Sequence, residues 1–205
     1  MLFRSGFRLV DFVLSNLVNS GISDIYVLAQ YKSRSLHEYL DHGWNLNFGA
    51  DSPGVTTLMP ADGSEFRGTA DAVYQNLDLI GRHQPDLVAV FAADHIYRMD
   101  VRQMVAFHLE RHAAVSVAAV PVHICKASSY GVIVANSDGQ IHEFQEKPRN
   151  PAAMPRDPSR ALASMGNYLF NPEALVKLLE AAVSTGGSDF GQDRKSTRLN
   201  SSHRL

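Results

Sequence analysis

A doubly wound α/β fold with a mixed, mostly parallel sheet is what this sequence predicts. From Asp11 to Val122, apolar runs of strand length alternate with stretches of helix length, the order that sets strands side by side with helices across them. Two of the runs, Leu87–Phe91 and Val115–Val122, are apolar without alternation, as strands covered on both faces are. Helix start and stop signals stand at the ends of several helical stretches.

Asp11 stands where a cap is expected. The helix it opens carries Phe12, Val13, Leu14, Leu17 and Val18 on its apolar face and Ser15, Asn16 and Asn19 on its polar side, and Gly21 stops it. Ile25–Ala29 is the first strand. Ser33–Asp41 is a short helix ending before Gly43, and Val55–Met59 is a second strand. Thr69 caps a helix that runs to about Gly81, with Asp71 in its first turn where a carboxylate suits the macrodipole. The Leu87–Phe91 strand follows, then a helix over Val101–His112 and the Val115–Val122 strand.

The last third changes style. Val132–Val134 and Ile141–Phe144 flank Asn136-Ser137-Asp138-Gly139, a hairpin turn signal. Pro148–Pro158 is loop. Ser164–Phe170 is a strand. Asn171-Pro172 then starts a helix to about Val183, with asparagine as cap and proline at the first helical position. From Lys195 the chain is polar and aperiodic, a composition that cannot bury a core.

Bulk properties narrow the function. The 205 residues suffice for one domain with a sizeable core. The net charge is -2 with no basic stripe, which argues against nucleic acid as a partner but leaves phosphate-bearing small molecules open. A single cysteine, Cys125, points to a reducing, cytoplasmic setting. No apolar run approaches the roughly 20 residues that span a bilayer, so no membrane is expected.

Four segments carry candidate chemistry. Asp94 follows the Leu87–Phe91 strand directly, where ligands bind in open α/β sheets. It suits Mg²⁺, which takes a carboxylate or two plus phosphate oxygens, and it equally suits a chain reversal. In Phe66-Arg67-Gly68-Thr69-Ala70-Asp71, a glycine precedes a helix start whose free N–H groups favour anions. Phe66 offers a stacking face and Arg67 a charge, while an ordinary capped helix with an exposed arginine reads the same. Glu146-Lys147-Pro148 ends a strand. Glu146 could accept from sugar hydroxyls and Lys147 could meet a phosphate, or both could guard an exposed edge. Ser164 beside Gly166, and Gly131 after Tyr130, suggest close approach by a ligand or by another backbone. His37, His42, His95, His108 and His112 show no metal-ligand spacing, and Cys125 has no evident activating partner.

Taken in order, the blocks Phe7–Phe12, Leu14–Asn16, Asn19–Ile22, Gln30-Tyr31, Phe66–Val73, Asp94–Tyr97, Glu146–Pro148, Ala163–Gly166 and Asp189–Gly191 make the chain resemble the bacterial ADP-glucose pyrophosphorylases over roughly Phe7 to Asp193. The resemblance implies a Rossmann-like nucleotidyltransferase domain, partial over 7–193. It would lack the N-terminal strand and Gly-rich arginine loop of full-length members, as well as their C-terminal β-helix domain, and 194–205 would be an unstructured, non-native tail. It implies conversion of ATP and glucose 1-phosphate to ADP-glucose and pyrophosphate in glycogen synthesis, with Mg²⁺ as cofactor. Asp94 would be the catalytic, metal-holding carboxylate. Phe66, Gly131, Glu146, Lys147 and Ser164 would bind substrate, and Arg67, Gly68 and Asp71 would face the nucleotide. Full-length members are tetramers. The missing phosphate loop leaves two further readings: an inactive sugar-phosphate-binding module, and a nucleotidyltransferase for another sugar.

Overall fold

A computed structural model describes residues 6–30, 33–44, 54–61, 64–184, 186–188, 190 and 203–204. Helix α1, Leu9–Asn19, buries Val10, Val13, Leu14 and Leu17, the spacing that aligns side chains on one helical face. The cap position is Arg8. Asp11 sits one turn inside, and its carboxylate reaches back to the Arg8 N–H at 2.5 Å. Strand β1, Asp24–Leu28, pairs in parallel with β2, Gly54–Leu58, and α2, Ser33–Gly43, lies between them in sequence. Leu40, Ile25, Val55 and Val101 close a core against α1.

The single helix expected from Thr69 to Gly81 is two: α3, Thr69–Tyr74, and α4, Asp78–His83. Asn76 explains the break. Its side-chain amide donates to the Ala72 carbonyl at 2.9 Å, the acceptor that its own N–H would use in an α-helix, and that N–H turns to Val73 instead. Gly68 rather than Thr69 occupies the cap position.

Strand β3, Val88–Phe91, leads to helix α5, Val101–Glu110, whose cap Asp100 accepts from the Arg102 N–H. Strand β4, Val115–His123, runs through a short 3-10 turn to β5, Gly131–Ala135. The expected hairpin joins β5 to β6, Ile141–Glu146, and Asn136 Oδ1 accepts from the N–H groups of Asp138 and Gln140 to hold the turn. Strand β7, Arg160–Phe170, is longer than expected. Helix α6, Pro172–Ser184, starts at the Asn171-Pro172 signal.

The larger sheet runs β6-β5-β7-β4-β8, where β8 is His203–Arg204, with β3 also against β7. Here the sequence reading needs correction. The sheets are mixed, but β7 is antiparallel to β3, β4 and β5, and among the described residues parallel pairing is confined to β1 with β2 and to β4 with β8. Strand β3 is only half-buried. An apolar run reports burial, and nothing local in it reports the direction of its neighbour. Phe170, Leu175, Leu179, Val115 and Val117 form a second core beneath α6, extended by ring contacts of Phe190 with Tyr168 and Phe170 at 5.5 and 5.6 Å. Within the segment expected to be a structureless tail, His203–Arg204 form β8 along Val115 and Ser116. Residues 194–202 and 205 lie outside the described residues, as do Tyr31, Asp189 and Gly191.

Candidate active site

Strand β7 organises the site. One edge follows β4, while the other is shared by β5 near Leu162–Ala163 and by β3 near Asn167–Phe170. Between them the ladder slips at Met165-Gly166. Gly166 has φ +69°, a left-handed conformation open to glycine, and its carbonyl accepts from Ala92 N–H at 3.1 Å. A Cβ built on Gly166 would stand 3.0 Å from the Ala92 Cβ. The bulge therefore fixes the carboxyl end of β3, and Asp94 follows two residues on.

The β5–β7 register pairs Val132 with Ala163, so one residue further Gly131 stands level with Ser164. Gly131 pairs on its other side with Glu146. Glu146, Gly131 and Ser164 thus form a row across three strands, and that row ends beside the bulge holding β3. Gly131 permits the packing: a Cβ there would collide with the Phe144 ring and stand 3.3 Å from Glu146 Oε2. Lys147 follows with φ +42°, a strained setting for a side chain. Its N–H donates to Tyr130 O at 3.1 Å and its ammonium lies 3.6 Å from Glu146 Oε1. Strain of this kind collects at functional sites, and here it turns the lysine at the end of β6. Five sequence candidates, Asp94, Gly131, Glu146, Lys147 and Ser164, are gathered by one strand junction.

The Asp94 side chain is 87 % exposed, and His95 Nδ1 lies 2.9 Å from its Oδ1. The loop behind it is clamped by Asn16, which the sequence reading placed on the polar side of α1, and by Ser20 at the end of that helix. Asn16, which is buried, donates through Nδ2 to Tyr97 O and accepts from Met99 N–H, while Ser20 Oγ accepts from Val101 N–H. Their i,i+4 spacing opposite the apolar stripe was a signal in the sequence, since it puts both on one line facing one loop. Burial raises the Tyr97 phenol above its ordinary value. The Asn167 amide beside it pulls the other way without reaching hydrogen-bond geometry, and the Asp94 charge adds to the rise.

The Phe66–Asp71 segment behaves differently. Ala70 and Asp71 N–H groups both donate to Ser188 O, so the start of α3 is capped by protein and offers no ready anion site through those amides. Asp71, 2 % exposed, accepts from Arg67 N, Nε and Nη2 and from Gln75 Nε2. Its oxygens accept from these donors, and it holds the Arg67 side chain. Gly68 is extended at φ 175°. Phe66 is half-buried, with its N–H on Gln30 Oε1 at 2.7 Å just beyond the carboxyl end of β1. The Arg67 guanidinium hydrogen bond, more than any other contact, holds the Asp71 carboxyl below its usual range. A depressed folded-state value stabilises the fold above the unfolded-state value and loses that contribution as pH falls through the folded-state value. The stability difference between the parent and Asp71→Asn is therefore expected to shrink on going from about pH 7 to about pH 3 in urea titrations. A gap that holds constant across this range would refute the assignment.

Among the described residues no three His, Cys, Asp or Glu side chains converge on a metal-sized space. Asp94 fits the lesser demand of Mg²⁺ for one or two carboxylates with phosphate and water completing the shell, since His95 engages only one of its oxygens. Cys125, read as partnerless, has His123 Nδ1 at 3.0 Å from its sulfur.

The family described as nucleotidyl transferase matches residues 1–204. The chain belongs to that family. Among its relatives, the glucose-1-phosphate adenylyltransferase of Thermodesulfovibrio yellowstonii is 51 % identical over 192 residues, covering 92 % of this chain and 47 % of the relative. That of Thermus thermophilus is 46 % identical over 202 residues, covering 93 % and 48 %, and that of Anaeromyxobacter dehalogenans 47 % identical over 197 residues, covering 93 % and 47 %. The chain spans about half the length of these relatives. As a nucleotidyl transferase domain it is α/β with mixed sheets, and among the described residues no helix is long and apolar enough to cross a membrane.

Proposed function

We propose that the chain carries the sugar-phosphate half of a glucose-1-phosphate adenylyltransferase site, in which ATP and glucose 1-phosphate give ADP-glucose and pyrophosphate. The observation that carries the reading is the junction at β7, where a carboxylate, a strained lysine and two small residues meet the loop of Asp94. A phosphate oxygen of glucose 1-phosphate bonds to the α-phosphorus of ATP while the bond to pyrophosphate breaks. Such transfer depends on positioning and charge neutralisation rather than on a protein nucleophile. Lys147 places a cation against the sugar phosphate, Glu146 accepts from sugar hydroxyls, and Gly131 with Ser164 leaves room for both. Asp94 would hold Mg²⁺, which when bound supplies positive charge to phosphate oxygens. Phe66 would lie against the nucleotide or sugar. Full-length relatives would add the remaining nucleotide contacts, and a homotetramer is the assembly this reading carries.

The test is calorimetric and enzymatic. Glucose 1-phosphate is expected to bind the chain, and Lys147→Ala is expected to weaken binding by on the order of 10-fold, the loss of one charged contact. Pyrophosphate release from ATP and glucose 1-phosphate reports turnover. Binding without turnover would select an inactive sugar-phosphate module. Equal affinity of Lys147→Ala and the parent would remove the sugar-phosphate site, and turnover with UTP in preference to ATP would assign another nucleotide.

A further inference from the structure

Behind Asp94 lies a set of sheltered polar atoms with no hydrogen-bond partner among the described residues. They are His95 Nε2, Tyr97 Oη and both amide atoms of Asn167. Asn167 is 0 % exposed. Each such atom costs stability, so a cluster of four calls for a reason other than folding. Its location supplies one. Asn167 follows the Gly166 bulge and pairs with Phe91, the last residue of β3. The His95 and Tyr97 rings lie 4.8 Å apart, tilted by 30°. The Asp94 carboxylate only accepts, so His95 donates to it from Nδ1, and in the neutral ring this leaves the sheltered Nε2 as an acceptor. The inward side holds two donors, the Tyr97 hydroxyl and the Asn167 NH₂. The chain of neighbours runs from Asn167 beside the Tyr97 phenol to the Tyr97 ring against the His95 ring.

We propose that Asn167 is a positioning residue for Asp94, acting through Tyr97 and His95. It supplies the inner polar partner that keeps His95 in the Nδ1–H tautomer, and that tautomer holds the carboxylate in one orientation. The role in turnover rests on the reading of Asp94 as the catalytic carboxylate, while the tautomer relay does not.

Asn167→Leu separates this role from a structural one. The substitution replaces polar atoms that have no partner among the described residues by an apolar group of similar shape, a change that is neutral or stabilising unless the amide holds the fold together. The melting temperature is expected to stay equal or rise. The ¹⁵N spectrum of His95, recorded at about pH 8.5, above the ordinary imidazole range, is expected to show the Nδ1–H tautomer in the parent chain and a mixture with Nε2–H in Asn167→Leu. Tyr97→Phe is expected to shift it the same way, and Asn167→Ser, small and still polar, to restore part of the parent pattern. Turnover is expected to fall on the order of 10-fold in kcat with KM unchanged, as for loss of a partner one shell behind a metal ligand. An identical His95 spectrum in parent and Asn167→Leu overturns the proposal, and so does a marked drop in melting temperature with the tautomer preserved. Absence of turnover in the parent chain counts against the adenylyltransferase reading alone, because the tautomer comparison still decides the relay.

Discussion

Asp94→Asn is expected to lower the rate of pyrophosphate release on the order of 10²- to 10³-fold, the range seen when one electrostatic stabiliser of a transition state is removed. The asparagine keeps the size of the side chain and an oxygen for His95, so the loop geometry should survive. What disappears is the negative charge, which a hard cation requires and an amide supplies only weakly. Because the side chain is largely exposed at the end of β3, the folding free energy should move by no more than about 0.5 kcal/mol. Loss of rate with an unchanged melting curve is the expected signature. Under the Asp94 reading, raising the Mg²⁺ concentration should recover part of the rate. A variant within threefold of the parent at all Mg²⁺ concentrations would reduce Asp94 to a chain-reversing residue and leave the junction at β7 without its catalytic group.

How much of this was readable in the sequence varies by element, and the variation has physical causes. Helix α1 was legible because four buried positions recur at helical spacing, and the β5–β6 hairpin because Asn136 and Gly139 carry their own turn chemistry. Strand direction was not. Leu87–Phe91 has the composition of a doubly covered parallel strand, yet it pairs antiparallel with a strand some eighty residues later, a fact set by long-range packing rather than by local hydropathy. The split between α3 and α4 turned on the competition of one asparagine side chain for one carbonyl. Within the site, Asp94, Gly131, Glu146, Lys147 and Ser164 were all named from sequence, each as a weak local signal. Their convergence depends on the bulge at Gly166, which no single segment announces. At Asp71 the sequence left two readings open, a helix start that favours anions and an ordinary capped helix. The Ser188 carbonyl takes the Ala70 and Asp71 N–H groups, while Arg67 and Gln75 engage the Asp71 carboxylate. Asn16 was legible only as part of the polar side of α1, because polarity, unlike periodicity, does not say whether a side chain meets water or backbone.

Asp11→Ala is expected to have the largest effect on stability, about 4 kcal/mol, and to lower the melting temperature by about 10 °C for a domain of this size. The carboxylate is 6 % exposed and is the meeting point of three donors: Arg8 N–H, Tyr39 Oη at 2.7 Å and Trp44 Nε1 at 2.8 Å. Hydrogen bonds to a charged acceptor contribute about 1.5–3 kcal/mol each, and alanine leaves the tyrosine and tryptophan donors partly sheltered with nothing to meet. Burial first, and then the hydrogen bond to Asp11, keep the Tyr39 phenol above its ordinary value and therefore a donor. The Arg8 guanidinium lies 4.1 Å over the Tyr39 ring and adds a second tie between the start of α1 and α2. Trp44→Phe removes one donor while leaving most of the apolar body. A double-mutant cycle of Trp44→Phe with Asp11→Ala should give a coupling above about 1 kcal/mol. The consequence reaches the site through α1, because the helix anchored by Asp11 carries Asn16 and Ser20, whose side chains hold the Asp94 loop at Tyr97, Met99 and Val101. Asp11 touches none of the five residues gathered at β7, so activity in Asp11→Ala should fall in proportion to the folded fraction, with KM unchanged at low temperature. Destabilisation below about 1 kcal/mol would mean that Tyr39 and Trp44 find other acceptors. An activity loss that outruns unfolding would mean that α1 transmits strain to the loop even when the domain is folded.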